Sequence, residues 1–257
     1  TNLQREFTGM VLTSERKLLT LQAATAFGKS LTFLLPIMVL KKLQPETYVH
    51  FIGVPYESLK MATIEKVHRC GDLVARDISM LNLENSQHWL LDTDVFVGCF
   101  DSFGTNSIAS ILKNWESSTK GERKKGYLIF DEVHVLWVEK TFRPSFRQIF
   151  GLGWRGFLKM VFLSATIPED ILEIIAKDRG ISNKLLEQSS RYINGISEVP
   201  NKDVRFEVVQ VNYPSIRFRA AEYIRRYLAR EETNGKAIFF FTSIPAMMSV
   251  QELVDQT

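Results

Sequence analysis

The sequence predicts an α/β fold in which helices cover a parallel sheet. Short apolar runs alternate along the chain with longer stretches that carry apolar residues at helical spacing. This alternation is typical of parallel strands joined by helices. In addition, lysine, hydroxyl and carboxylate residues follow directly after several of the apolar runs. The carboxyl ends of parallel strands are where such folds collect their chemistry.

The predicted elements follow one another in a regular order. Strands are predicted at residues 18–24, 48–54, 94–100, 127–130, 160–163 and 237–241. Helices are predicted at residues 30–43, 56–69, 170–177 and 220–230. Residues 117–126 are polar and charged and are predicted to form a surface loop. A second polar stretch, residues 187–202, indicates a boundary between two domains.

Composition and charge indicate an ordinary globular protein. Hydrophobic residues make up 45% and charged residues 24% of the 257 residues, close to the usual globular values. The net charge of +3 is too small to indicate nucleic-acid binding by itself. Cys70 and Cys99 form neither a zinc-ligand pattern nor a disulfide framework. The longest apolar run, residues 31–40, is too short for a membrane span, and no signal peptide opens the chain. We therefore expect no membrane partner and an intracellular location, nuclear in a eukaryote.

A phosphate-binding loop follows the first predicted strand. It leads into a helix, as a P-loop requires, and consists of Thr25, Ala26, Phe27, Gly28, Lys29 and Ser30. Backbone N–H groups at a helix N-terminus favour an anion, and Gly28 permits the turn that directs them inward. We therefore expect Lys29 to bind the β- and γ-phosphates of ATP and the Ser30 hydroxyl to ligate Mg²⁺.

Two acids and a histidine follow a later predicted strand. Asp131, Glu132 and His134 come directly after the apolar run 127–130. Asp131 can hold the Mg²⁺ that bridges phosphates, and Glu132 can orient or deprotonate the attacking water. His134 is then expected near the γ-phosphate.

A hydroxyl-bearing segment completes an ordered set of motifs. Ser164 and Thr166 follow the apolar run 160–163, so GKS, DEVH and SAT succeed one another along the chain. This order is typical of a DExH helicase motor, and the chain resembles the RecQ branch of superfamily-two DNA helicases. The resemblance implies a RecA-like lobe that binds ATP and Mg²⁺, followed by the start of a second RecA-like lobe. It also implies unwinding of DNA in the 3′-to-5′ direction.

Two further segments carry the resemblance beyond the nucleotide motifs. Pro55 and Ser58 belong to a stretch similar to the P-x-x-S-L segment that lies along single-stranded DNA in the family. A second segment is similar to the family's aromatic-rich loop and contains Trp137, Phe142, Arg143 and Phe146. In the family this loop couples DNA binding to ATP hydrolysis, and aromatic rings and arginine suit that role. The resemblance assigns Ser164 and Thr166 as well to the coupling of DNA binding and ATP hydrolysis. The alternative for the aromatic residues is a place in the core.

The resemblance also bears on both ends of the sequence. Gln4 lies about where the family's adenine-reading glutamine occurs, with an ordinary surface glutamine as the alternative. Residues 190–194 resemble the segment that introduces the second lobe, which predicts domain one over residues 1–195 and an incomplete domain two over residues 196–257. No arginine-finger segment occurs in the sequence, and such an arginine contributes about 10³–10⁵ in rate. We therefore expect the chain alone to bind ATP weakly and hydrolyse it poorly.

Two other functions remain open. Helicases usually carry glycine where this sequence has Ala26, and the bulky Phe27 follows. A Cβ atom at a position that needs a positive φ is strained, which favours a decayed nucleic-acid-binding module without productive hydrolysis. The other alternative is a DExH RNA helicase, which the aromatic-rich loop disfavours. The expected partners are ATP and single-stranded or partly duplex DNA, and the sequence identifies no protein partner.

Overall fold

The computed structural model describes most of the chain. The described residues are 1–82, 86–115, 124–139, 143, 149, 156–167, 190–195, 215–229, 239–241 and 243–255. The chain divides into two compact units, residues 1–198 and residues 199–257. The assignment of these units to two RecA-like domains, with a boundary at residue 195, stays a prediction.

A parallel sheet forms the centre of the first unit. Its strands, in chain order, are β1 Leu18–Gln22, β2 Tyr48–Val54, β3 Ala75–Asp77, β4 Val95–Cys99, β5 Lys124–Asp131, β6 Lys159–Ser164 and β7 Ser190–Asn194. Their order across the sheet is β3-β4-β2-β5-β6-β1-β7, and every neighbouring pair is parallel. All the strand carboxyl ends therefore lie at one edge of the sheet, the edge to which β1 and β5 deliver the GKS and DEVH segments.

Helices cover both faces of this sheet. They are α1 Asn2–Thr13, α2 Lys29–Leu43, α3 Glu57–Arg69, α4 Ser86–Asp92, α5 Phe100–Phe103, α6 Asn106–Asn114 and α7 His134–Glu139, with a 3₁₀ turn at Ile78–Met80. The fold class predicted from the sequence, α/β with helices flanking a parallel sheet, is confirmed.

The core consists of two apolar layers, one on each face of the sheet. Neighbouring residues of a strand point to opposite faces, so Phe130 of β5 joins one layer and Ile129 joins the other. One layer includes Leu136 of α7, and the other includes Phe33 of α2. Strands buried on both faces explain the continuous apolar runs in the sequence.

Several elements differ from the sequence prediction. Strands β3 and β7 were not predicted as members of the sheet. The segment 190–194, interpreted as the entry to a second lobe, instead forms edge strand β7 beside β1. The loop predicted at residues 117–126 is wrong at its end, because β5 begins at Lys124 and buries Lys125, whose Nζ donates to the Leu112 carbonyl at 3.1 Å.

The described part of the second unit is helical. It contains α8 Ile216–Leu228 and α9 Ile244–Asp255, and Arg225 of α8 donates a hydrogen bond to the Leu253 carbonyl of α9. The strand predicted at residues 237–241 is wrong over 239–241, which have no regular structure and expose 91% of Phe240. No described residue of this unit forms a strand that could pair with them. The predicted helix 170–177 lies outside the described residues.

Membrane insertion has no support in the described helices. None of them combines the length and the apolar character that crossing a bilayer requires.

Candidate active site

The loop between β1 and α2 has the backbone shape of an anion-binding turn. Gly28 precedes α2 with a φ of 83°, and Lys29 and Ser30 open the helix. The first N–H groups of a helix have no partner within it, and the helix dipole adds positive potential there. Thr25 and Ala26 lie exposed in the turn before Gly28. The loop can therefore receive an anion from the solvent side.

Ala26 adopts the conformation that the sequence made doubtful. Its φ is 60°, in the left-handed region where a Cβ atom costs roughly 1–2 kcal/mol. Glu132, in the DEVH segment, has a φ of 53°. Strained residues of this kind concentrate at functional sites. Both positions belong to the segments that the sequence singled out.

The Lys29 ammonium lies between the loop and the acids. Lys29 is 8% exposed, and its Nζ donates to the Ala23 carbonyl at 3.2 Å. The same Nζ is 3.5 Å from Glu132 Oε1. The predicted convergence of the GKS and DEVH segments is thus present in the structure.

Asp131 ends β5 in a position that resists ionisation. Burial and the neighbouring Glu132 carboxylate raise the pKa of Asp131 to about 6, although the Lys29 charge and the Glu132 N–H act in the opposite direction. That N–H donates to Asp131 Oδ1 at 3.0 Å. Two adjacent carboxylates that repel each other are an environment that a divalent cation would stabilise.

Magnesium fits this arrangement as a partner of ATP rather than as an ion held by protein alone. Among the described residues, no group of three or more His, Cys, Asp or Glu side chains could hold a metal. Mg²⁺ typically uses one or two carboxylates together with waters and substrate phosphates. Asp131 and the Ser30 hydroxyl are suited to be its protein ligands.

A hydrogen-bonded cluster connects the DEVH and SAT segments. Ser164 Oγ lies 2.7 Å from His134 Nδ1 and 3.3 Å from Glu132 Oε2. The Thr166 N–H donates to the same oxygen at 3.2 Å. Ser164 is fully buried and Thr166 is exposed. The two predicted motifs therefore touch through Ser164.

Gln4 reaches the phosphate-binding loop from α1. Its Nε2 donates to the Phe27 carbonyl at 2.8 Å. A Cβ atom on Gly28 would lie only 2.6 Å from that nitrogen. Gln4 therefore packs against the loop, and its role in reading adenine stays a prediction.

The residues assigned to nucleic acid differ in their surroundings. Pro55 is buried at the end of β2, while Ser58 is exposed in the first turn of α3. Trp137 is half-buried against the apolar layer that contains Leu136, as the core alternative predicted. Phe142 and Phe146 lie outside the described residues.

Arg143 pairs with acids. Its Nη1 donates to Asp101 Oδ2 at 2.8 Å, and its Nε lies 2.9 Å from Glu139 Oε2. Glu139 also accepts a hydrogen bond from the Tyr56 hydroxyl at 3.1 Å. Sequence reasoning missed Tyr56, Asp101 and Glu139. The four-residue spacing of Glu139 and Arg143 is the one signal that could have indicated the pair.

Comparison with known proteins identifies the family. The sequence pattern of the DEAD/DEAH box helicases matches residues 1–174. The chain belongs to this family. The seven-stranded sheet with its flanking helices is accordingly a RecA-like helicase lobe.

Similar proteins are longer than this helicase chain. The Y′ element ATP-dependent helicase YML133C and the uncharacterized protein YHL050C, both of Saccharomyces cerevisiae, are each 27% identical to it over 194 residues. These matches cover 70% of this chain but only 14% and 27% of the two yeast proteins.

Solved helicase structures share the fold. The DEAD-box helicase Mss116 bound to single-stranded RNA and UDP-BeF has a TM-score of 0.64 at 19% identity, over 92% of this chain and 49% of that one. The DUF1998 helicase MrfA bound to DNA has a TM-score of 0.58 at 16% identity, over 98% of this chain and 36% of that one. At these identities the likeness concerns the fold alone.

Proposed function

We propose that this chain is the ATP-binding part of a 3′-to-5′ DNA helicase motor of the RecQ type. The observation that carries the proposal is the convergence of Lys29 with Glu132, beside Asp131, at the carboxyl edge of the sheet. The YML133C relative, whose name describes an ATP-dependent helicase, supports the use of ATP. The aromatic-rich loop supports the narrower RecQ assignment.

The loop residues bind the nucleotide in this proposal. Backbone N–H groups around Gly28 and the Lys29 ammonium contact the phosphates, and Gln4, which donates to the Phe27 carbonyl, is the proposed adenine-reading residue. Mg²⁺, held by Asp131 and Ser30, would neutralise charge on the phosphate oxygens. Thr25, Ala26 and Phe27 contribute backbone to the same cradle.

In this proposal Glu132 acts on the attacking water. It is one of the two acids at the end of β5, and its carboxylate is positioned by the Lys29 ammonium on one side and by Ser164 on the other. A carboxylate held by fixed partners can orient a water or accept its proton. His134 Nδ1 lies 3.4 Å from Glu132 Oε2 and contacts Ser164 Oγ as well. It therefore connects Glu132 with the SAT segment.

DNA rather than RNA is the proposed nucleic acid. Ser58, at the exposed start of α3, together with Phe142 and Phe146, proposed from the sequence, would contact a single strand, with stacking that tolerates any base sequence. Among proteins of the same fold, MrfA has been solved with DNA and Mss116 with single-stranded RNA, so the fold serves both polymers.

Competition between polymers tests the choice of nucleic acid. A fluorescein-labelled oligo(dT) bound to the chain should be displaced by unlabelled DNA at lower concentration than by RNA of matched sequence. In a longer protein that joins this chain to a complete second lobe, and with ATP present, a partial duplex with a 3′ overhang should be unwound in preference to one with a 5′ overhang. Tighter binding of RNA, or preference for the 5′ overhang, would refute the corresponding part of the proposal.

The conformation of Ala26 favours a second candidate, a decayed helicase-like module that binds nucleic acid without productive hydrolysis. A left-handed alanine makes the loop more costly to form than glycine would. Such a relic should bind a nucleotide with no dependence on Mg²⁺, whereas the motor should require the ion. A nucleotide titration with and without Mg²⁺ therefore distinguishes the two candidates.

A further inference from the structure

A connected set of polar side chains lies beyond the candidate active site. Tyr56 donates to Glu139 Oε1 at 3.1 Å, and Arg143 Nε lies 2.9 Å from Glu139 Oε2. Arg143 also donates to Asp101 Oδ2 at 2.8 Å. Glu139 Oε1 thus accepts a hydrogen bond, whereas among the described residues the buried Oε2 makes none and is held by the charge of Arg143 alone. The set connects four segments: the start of α3, the start of α5, the end of α7 and the aromatic-rich loop.

Helix α7 connects this polar set to the candidate active site. Its first residue, His134, lies 2.7 Å from Ser164 Oγ, and its last residue is Glu139. Five steps of about 1.5 Å separate these residues along the axis, so the two ends are roughly 8 Å apart. Val135 and Leu136 are 6% and 0% exposed. These side chains pack into the core, and the helix joins His134 to Glu139 without a break.

We infer that Glu139 is a positioning residue that couples the nucleotide site to the nucleic-acid surface through α7, with Tyr56 and Asp101 as its partners. The inference rests on the proposed function. A change at the His134 end, where a γ-phosphate would be detected, shifts α7 and with it the carboxylate that holds Tyr56 and Arg143. Tyr56 directly precedes α3 and its exposed Ser58, so the start of α3 responds to the same shift.

Charge and exposure make the outer end of the set responsive to a nucleic-acid strand. The Glu139 side chain is 15% exposed, whereas those of Arg143 and Asp101 are 33% and 49% exposed. A backbone phosphate that approaches this surface is attracted by Arg143 and repelled by Asp101. The strand can therefore change the pairing of Arg143, and Glu139, as the last residue of α7, passes that change along the helix.

The test is the coupling between two ligands of the whole chain. The dissociation constant of a fluorescein-labelled oligo(dT) is measured with and without Mg-AMPPNP, and the ratio of the two values is the coupling factor. Natural coupling factors are typically about 5–150-fold. Glu139→Gln keeps an acceptor for Tyr56 but loses the charge that pairs with Arg143. We expect this variant to bring the factor close to one, while its nucleotide affinity without DNA changes by less than about twofold.

A matched ion pair on α3 provides the control. Glu65 and Arg69 have the same four-residue spacing and are exposed, with Arg69 Nη2 3.3 Å from Glu65 Oε2. Glu65→Gln should therefore preserve the coupling factor. Tyr56→Phe removes only the hydroxyl and should lower the factor in part, which provides a second answer if Glu139→Gln does not fold.

The results separate failure of the proposed function from failure of the inference about Glu139. A wild-type chain that binds neither ligand overturns the proposed function and the inference with it. If the wild-type chain binds both ligands and the coupling factor survives in Glu139→Gln and Tyr56→Phe, the inference alone is overturned. A wild-type factor of one has the same consequence.

Discussion

Asp131 shows how one residue can lower stability while serving a ligand. Its pKa is raised to about 6 by burial and by Glu132, whereas an unfolded aspartate titrates near 4. The folded state therefore holds a proton that the unfolded state releases. The contribution of Asp131 to stability is therefore fully present below pH about 4 and is lost as the pH rises through about 6, where folded Asp131 also ionises.

Replacement of Asp131 by asparagine should relieve this penalty. We expect Asp131→Asn to raise the free energy of unfolding at pH 7.5 by about 1–3 kcal/mol, since one pKa unit corresponds to about 1.4 kcal/mol. Urea denaturation without nucleotide measures the gain, which should shrink as the pH is lowered from 6 towards 4. A variant less stable than wild type at pH 7.5 would contradict the explanation.

Ala26 provides a second prediction at the scale of one residue. Glycine at this position should remove about 1–2 kcal/mol of backbone strain from the folded state. Its greater conformational freedom in the unfolded chain should offset about 0.4–1 kcal/mol of this gain. We therefore expect Ala26→Gly to raise the free energy of unfolding by roughly 0.5–1 kcal/mol. Ala24→Gly, two positions earlier and without a positive φ, should lower it. Equal effects at the two positions would show that strain is absent.

Sequence reasoning identified the site residues whose chemistry is local. Lys29, Asp131 and Glu132 were predicted because each belongs to a segment at the carboxyl end of an apolar strand, and parallel strands bring such ends together. Glu139 and Tyr56 were missed because their partnership depends on the end of a short helix meeting the start of another. No local pattern records that meeting.

The strands of the sheet differ in how clearly the sequence indicates them. The central strands β2, β5 and β6 are buried on both faces and appear as apolar runs. Strand β3 has only three residues, and edge strand β7 exposes Arg191 and Tyr192. Their strand character comes from hydrogen bonds to β4 and β1, which are distant in sequence. This is why the interior of the sheet could be predicted and its edges could not.

The close contact between β2 and β5 can be tested by adding one methyl group. A Cβ atom on Gly126 would lie 2.5 Å from Nδ1 of His50, a buried ring that accepts a hydrogen bond from the Tyr127 N–H at 3.0 Å. We expect Gly126→Ala to lower the free energy of unfolding by about 1–3 kcal/mol, as overpacked cores do. Chemical denaturation measures this change.

The same substitution in α1 provides the opposite control. A Cβ atom on Gly9 would meet nothing within 4 Å, and alanine is favoured over glycine inside a helix by about 0.5–1 kcal/mol. Gly9→Ala should therefore stabilise the protein. Loss of stability in both variants, or in neither, would show that the contact with His50 is not the cause.

At the scale of the whole molecule, the account depends on one arrangement. Three segments distant in sequence, GKS, DEVH and SAT, meet at the carboxyl edge of a single parallel sheet, as the family match over residues 1–174 requires. Nucleotide binding, the choice of DNA and the role of Glu139 all depend on that meeting. The order of the motifs predicted it, because parallel connections bring successive strand ends to one edge.

Titration of a fluorescent ATP analogue into the chain, with Mg²⁺ and after its chelation, tests this arrangement most directly. The wild-type chain should bind more tightly with Mg²⁺. Lys29→Ala should weaken binding by about 10–100-fold, the loss expected for one charged hydrogen bond. Lys41→Ala, which alters an ion pair with Asp94 at the far end of α2, should leave the affinity unchanged. Affinity that is indifferent to both Mg²⁺ and Lys29→Ala would contradict the account.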